Sequence, residues 1–179
     1  MGAIFAVVGP SGAGKDSLME AAKARLPNLH LVRRVITRPE AFGGENFVGV
    51  TKAEFDRRVA AGGFALHWPA HGLRYGIPVA VFDAMDQDRT VLFNGSRAML
   101  GEAGRVFPDL CIVNITARRD VLAARLTARG RENAQDITRR LGRAVPPLPP
   151  GLREIQVDNS GALHDALEKF VAAVSPVRA

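Results

Sequence analysis

Apolar runs and helix-periodic stretches alternate along the chain. Nearly continuous apolar runs at 3–8, 31–36, 64–68, 90–94, 110–116 and 153–157 predict β-strands. Between them, helical spacing predicts helices over 15–26, 52–61, 77–87, 97–106, 119–129, 134–144 and 161–174. Strands that are apolar on both faces need cover on both sides. The alternation with helices supplies that cover, so the expected class is α/β, with a parallel sheet flanked by helices. Pro27 is expected to close the first helix, and Asp158-Asn159-Ser160 to cap the last. The proline-rich stretch 145–151 is expected to be a stiff extended connector. There is no internal repeat and no low-complexity tail, and 1–179 reads as one domain.

The first apolar run leads directly into Gly9-Pro10-Ser11-Gly12-Ala13-Gly14-Lys15-Asp16-Ser17. Strand, glycine-rich turn, lysine and helix in this order form a phosphate-binding loop. Glycines let the backbone N–H groups close around a polyphosphate, the helix N-terminus adds positive potential, and Lys15 reaches the terminal phosphates. The usual Ser or Thr after Gly-Lys, which holds Mg²⁺ through its hydroxyl, is replaced by Asp16, with Ser17 next. Either Asp16 meets the metal, directly or through water, or the register shifts to use Ser17, or Asp16 only offers negative charge to the first helical turn. The expected cofactors are therefore ATP and Mg²⁺.

Composition narrows the partners. The net charge is +6 and the sequence pI about 10.4, carried mainly by arginines near 33–38 and 118–143. Arginine's planar fork suits phosphate. Aromatic residues are few and not interleaved with basic ones, which disfavours a nucleic-acid binder and favours a phosphorylated small molecule. No apolar run approaches a membrane span, Met1-Gly2 leads straight into the first strand, and Cys111 is a single thiol in an apolar setting. The expectation is a cytoplasmic protein without signal peptide or membrane partner; the sequence also allows a homodimer.

Four further stretches carry chemistry. Thr37-Arg38 ends a strand and opens a glycine-containing loop to Glu45-Asn46, an arrangement suited to a second phosphate. His67 to Gly76 is dense in polar groups, among them Tyr75, while Trp68 reads as core. Asn94-Gly95-Ser96-Arg97 follows a buried strand, where the ligand crevice of a parallel sheet lies; Arg97 faces the site, or Ser96 or Asn94 caps the next helix. Arg125 and Arg129 lie one turn apart before Gly130, and Arg131, Arg139 and Arg140 follow. A helix-glycine-helix hairpin so rich in arginine fits a lid over a triphosphate.

Together these stretches resemble the guanylate-kinase-like branch of nucleoside monophosphate kinases. That resemblance implies a P-loop NTPase fold with an acceptor-binding insert at about 37–76 and a helical lid at about 125–140. It implies that Arg38, Glu45 and Tyr75 lie in the acceptor site, Arg129, Arg131 and Arg140 in the lid, and Asn159 near the loop bordering adenine. The departures are specific. Ala41 stands where guanylate kinases carry a second arginine, Pro69 and Ala70 where a carboxylate reads guanine, and Asn94 where an Asp ends the central strand.

Gly-Lys-Asp-Ser at 14–17, Ile-Thr-Arg with Glu45-Asn46, Asn-Gly-Ser-Arg-Ala at 94–98 and Arg-Gly-Arg-Glu-Asn at 129–133 are closer to the ribose 1,5-bisphosphate phosphokinases of bacterial phosphonate breakdown. This resemblance implies transfer of the γ-phosphoryl of ATP to ribose 1,5-bisphosphate, giving 5-phosphoribosyl 1-diphosphate and ADP. Lys15 and the lid arginines would be catalytic; Arg38, Glu45, Tyr75, Asn94 and Arg97 would bind the acceptor; Asp16 and Ser17 would hold metal. The alternatives are a guanylate or other nucleoside monophosphate kinase, and a nucleotide-binding regulator without turnover.

Overall fold

The computed structural model describes residues 2–42, 45–87, 89–130, 133–142 and 147–175. In chain order the strands are β1 (Ile4–Val8), β2 (Leu29–Leu31), β3 (Val35–Ile36), β4 (Val48–Gly49), β5 (Phe64–Ala70), β6 (Leu73–Pro78), β7 (Thr90–Asn94), β8 (Cys111–Thr116) and β9 (Arg153–Asp158). The α-helices are α1 (Lys15–Arg25), α2 (Lys52–Ala60), α3 (Val81–Asp86), α4 (Leu100–Val106), α5 (Arg119–Ala128), α6 (Ala134–Leu141) and α7 (Leu163–Val174).

Five strands form one parallel sheet in the order β2-β7-β1-β8-β9. Alternate residues of its strands feed two cores. Ile4, Ala6 and Val8 of β1, with Val91 and Phe93 of β7, face a cluster that includes Leu66, Trp68 and Ile77. Phe5 and Val7, with Val113 and Ile115 of β8, face Leu18 and Ala22 of α1 and Phe170 and Val174 of α7. This double cover is why these strands are apolar throughout. Cys111 is buried, as its setting predicts.

A second sheet, β4-β3-β6-β5, mixes parallel and antiparallel pairs. It corrects three expectations. The run 31–36 is not one strand: Val32 N–H still bonds the Leu92 carbonyl, then the chain leaves the parallel sheet and Val35 pairs with Gly76. Residues 73–78, taken with the polar stretch before them, form β6 of a hairpin. Ile77-Pro78 therefore ends a strand, and the helix expected over 77–87 is only Val81–Asp86.

Smaller corrections concern helix ends. Residues 97–99 form a short 3₁₀ turn before α4. Ala162 stands at the N-cap of α7 without a side-chain bond, while Asp158 Oδ1 accepts from Ser160 N–H and ties the turn before it. Residues 147–149 have no regular structure; 143–146, including part of the expected connector and helix, lie outside the described residues.

Candidate active site

β1 lies mid-sheet between β7 and β8, so the loop after Val8 emerges at the carboxyl ends of the strands, where open parallel sheets bind ligands. Gly9 has φ 151° and Gly14 φ 88°. A Cβ at Gly9 would sit 2.2 Å from the Ile115 carbonyl oxygen, and one at Gly14 2.5 Å from the Asn159 amide nitrogen. Both conformation and space therefore demand glycine. Helix α1 begins at Lys15 with no side chain capping its N-terminus, which leaves its N–H groups for a phosphate.

Lys15 folds back over the loop, Nζ donating to the Gly9 carbonyl at 2.9 Å and the Pro10 carbonyl at 3.3 Å. Burial holds its pKa below the ordinary lysine value; Asp16 opposes that shift, Arg34 adds to it, Glu45 opposes it and Arg129 adds to it. These four charges therefore lie within electrostatic reach of the ammonium.

Asp16 is half-buried in the first turn of α1, and Ser17 beside it is exposed. Asn94, at the end of β7, donates Nδ2 to Asp16 Oδ1 at 2.9 Å. The pairing of Val7 with Asn94 sets this contact. A carboxylate is a hard oxygen ligand of the kind Mg²⁺ takes, and kinase Mg²⁺ needs only one or two of them with waters and phosphates. Among the described residues no three Asp, Glu, His or Cys side chains gather into a metal cage. The Asp16 carboxylate, half-buried at the start of α1, is of the kind that fits a metal shared with nucleotide phosphates.

The loop is braced from behind. Asn159, 2% exposed, donates Nδ2 to the Ala13 carbonyl at 2.7 Å, and its N–H bonds the Thr116 carbonyl. Arg125 donates to the Asn159 carbonyl at 2.9 Å and to the Gly12 carbonyl at 3.4 Å. Asn159 thus supports the loop from behind, and Arg125 lies beneath it. Within the loop, Ala13 is fully buried and Ser11 exposed.

On the other side stands the second sheet. Arg34, buried between β2 and β3, makes a bidentate pair with Glu45, Nε donating to Oε2 at 2.9 Å and Nη2 to Oε1. Its guanidinium lies over Tyr75, 5.0 Å from the ring centroid, and Tyr75 stacks on Trp68 at 5.6 Å. Arg38 lies over the Phe47 ring at 4.6 Å. A cavity of about 100 Å³ opens between α1, the end of β7 and this side, reached by Asp16, Arg33, Glu45, Asn46 and Asn94. Arg97 starts the 3₁₀ turn after β7, half-buried, with Ser96 Oγ accepting from Ala98 N–H. Arg129 is exposed at the end of α5. Arg131 lies outside the described residues, as does the side chain of Arg140, whose backbone is in α6.

The structure thus brings Lys15, Asp16, Asn94 and Glu45 together. Sequence reasoning missed Arg34 and the bracing role of Arg125. A charged residue set against Val35-Ile36 in an apolar run is the signal that could have marked Arg34, since a buried arginine requires a partner.

Glycine-rich loop, half-buried lysine and flanking parallel strands define a P-loop kinase. Solved structures agree in fold: guanylate kinase from Anaplasma phagocytophilum has a TM-score of 0.70 at 16% identity, covering 97% of this chain and 84% of its own. A sugar kinase from Janibacter sp. has a TM-score of 0.57 at 14% identity, covering 98% of this chain and 97% of its own. At such identities the likeness is of fold alone. Sequence relatives are more specific. The chain is 51% identical over 179 residues to ribose 1,5-bisphosphate phosphokinase PhnN of Ruegeria sp., covering 99% of this chain and 94% of the relative. It is 49% identical over 166 residues to PhnN of Agrobacterium fabrum, covering 91% of each. It is also 49% identical over 176 residues to a bifunctional ribose 1,5-bisphosphokinase-thymidine phosphorylase of Azorhizobium caulinodans, matching 97% of this chain and 25% of that protein. No family model matches the chain. By its relatives, the chain belongs to the ribose 1,5-bisphosphate phosphokinase family.

Proposed function

We propose that this kinase transfers the γ-phosphoryl group of ATP to ribose 1,5-bisphosphate, giving 5-phosphoribosyl 1-diphosphate and ADP, in phosphonate catabolism. The observation that carries the reading is the cavity beside the loop. It offers Arg33 to phosphate and Glu45, Asn46 and Asn94 to hydroxyls, while Pro69 and Ala70 leave no carboxylate to read guanine.

The chemistry asks little covalent work of the protein. A phosphate oxygen on C1 of the acceptor is already ionised near neutral pH, so it attacks the γ-phosphorus in line without a strong general base. Gly9 to Ser17 hold the donor's phosphates through backbone N–H groups. Lys15, released from the Gly9 and Pro10 carbonyls, places its charge on the transferring group. Its desolvated setting strengthens that interaction. Asp16, aligned by Asn94, and Ser17 would hold Mg²⁺, which would supply charge neutralisation.

The second-sheet region at 37–76 receives the acceptor, with Arg38, Tyr75 and Arg97 on its phosphates and Glu45 and Asn94 on its sugar. The pair α5–α6 acts as lid over 125–140, with Arg129, Arg131 and Arg140 closing on the phosphoryl group and excluding water. The enzyme works in the cytoplasm on a small molecule, needs no nucleic-acid partner, and its sequence allows a homodimer.

Phosphorus NMR of a reaction with ATP, Mg²⁺ and ribose 1,5-bisphosphate tests the reading. The expected result is a new diphosphate pair of signals growing with ADP. Slow ATP hydrolysis without that pair would overturn it.

A further inference from the structure

Arg34 is 7% exposed, held along one edge by Glu45 and across its face by two aromatic rings. Nε and Nη2 grip both oxygens of Glu45, and the plane lies over Tyr75 and, at 5.9 Å, Trp68. Trp68 and Tyr75 are direct partners across the β5–β6 hairpin, so the sheet register fixes the platform on which the guanidinium rests. A phosphate could reach this fork only by displacing Glu45.

A buried ion pair is weak support for stability, because desolvation offsets the attraction. Its effect here is to set Glu45 in one geometry at the wall of the cavity beside Asp16 and Asn94. It also cancels charge. A lone carboxylate would repel a bisphosphate, whereas a carboxylate paired with Arg34 presents acceptor lone pairs at little net charge. Each oxygen spends one lone pair on Arg34 and keeps another. Acceptors of that kind suit neutral hydroxyl donors.

We propose that Arg34 is a positioning residue that holds Glu45, neutralised, as the acceptor for the ribose hydroxyl groups of the sugar substrate, and that this pair makes the enzyme select ribose over deoxyribose bisphosphates. The inference rests on the function proposed above. Arg34→Lys keeps the charge but loses the fork and the planar contact with Tyr75; Glu45→Gln keeps the shape but loses the neutral pair.

The test compares kcat/KM for ribose 1,5-bisphosphate and its 2-deoxy and 3-deoxy analogues in wild type and both variants, with binding of a fluorescent ATP analogue alongside. The wild type should prefer ribose over at least one analogue by about 10⁴-fold, as sites built to hydrogen-bond a hydroxyl do. In both variants that preference should fall by about tenfold or more, through a raised KM for the ribose substrate, with ATP-analogue affinity within about twofold. If Arg34→Lys does not fold, Glu45→Gln alone carries the test. A wild type inert toward ribose 1,5-bisphosphate would overturn the parent reading and this one. A wild type active on it but without preference, or variants with the preference intact, would overturn this inference alone.

Discussion

Replacing Asn159 by alanine separates loop support from base contact. The side chain is almost wholly enclosed, and its Nδ2 is 2.7 Å from the Ala13 carbonyl inside the phosphate loop. Alanine leaves that carbonyl unpaired, a cost of about 1–3 kcal/mol. It also removes Oδ1, which has no partner among the described residues and whose burial already costs on the order of 1 kcal/mol. The net loss is up to about 2 kcal/mol. For a chain of this length each kcal/mol moves Tm by about 2–4 °C, so thermal unfolding without nucleotide should drop by up to about 8 °C. A loosened loop should weaken ATP and GTP alike, by about tenfold if some 1.4 kcal/mol of preorganisation is lost. Differential scanning fluorimetry and nucleotide titration read both quantities. An unchanged Tm with weaker ATP but unchanged GTP binding would refute the bracing argument and restore Asn159 as a contact to adenine.

Lys15→Met should lower turnover by about a thousandfold or more while leaving the Tm of the nucleotide-free protein equal or higher, because the variant no longer buries an ammonium. Since the folded-state pKa of Lys15 is lowered, the native protein sheds this proton before the unfolded chain does. Wild-type stability relative to Lys15→Met should therefore rise as pH climbs toward the ordinary lysine value of 10.5, and urea unfolding across the alkaline range checks the sign. Asp16→Ser should raise the Mg²⁺ concentration needed for half-maximal nucleotide binding by about tenfold, and adding Asn94→Asp should restore part of it, because the two residues share one hydrogen bond. Arg129→Ala should reduce kcat by about 100-fold with ATP affinity little changed, if its charge is used only when the lid closes.

Much of this architecture was legible from local pattern. The phosphate loop is a contiguous strand, turn and helix, so its residues carry their own geometry; the parallel strands announced themselves by being apolar on both faces. What escaped depends on residues far apart in sequence. The β5–β6 hairpin turns on His71 and Gly72, with φ 52° and 75°. Such a two-residue turn normally shows Asn or Asp first, and histidine in that place hid it. The bend at 32–34 moves the chain between sheets without a glycine or proline to mark it. Asp158-Asn159-Ser160 has the composition of a helix cap, yet the tertiary fold uses Asn159 against a loop formed 146 residues earlier. Arg125 and Arg129 look equivalent on one helical face, but only Arg125 faces carbonyls it can bond. Glu45 was expected in the acceptor site; its arginine partner was invisible until the two sheets were placed side by side.

The central claim is the identity of the acceptor. Initial rates of ADP release with ATP and Mg²⁺, measured with ribose 1,5-bisphosphate and with GMP at equal concentrations, test it most directly. Turnover is expected with the sugar bisphosphate and none above background with GMP; turnover with GMP and none with ribose 1,5-bisphosphate would overturn the assignment.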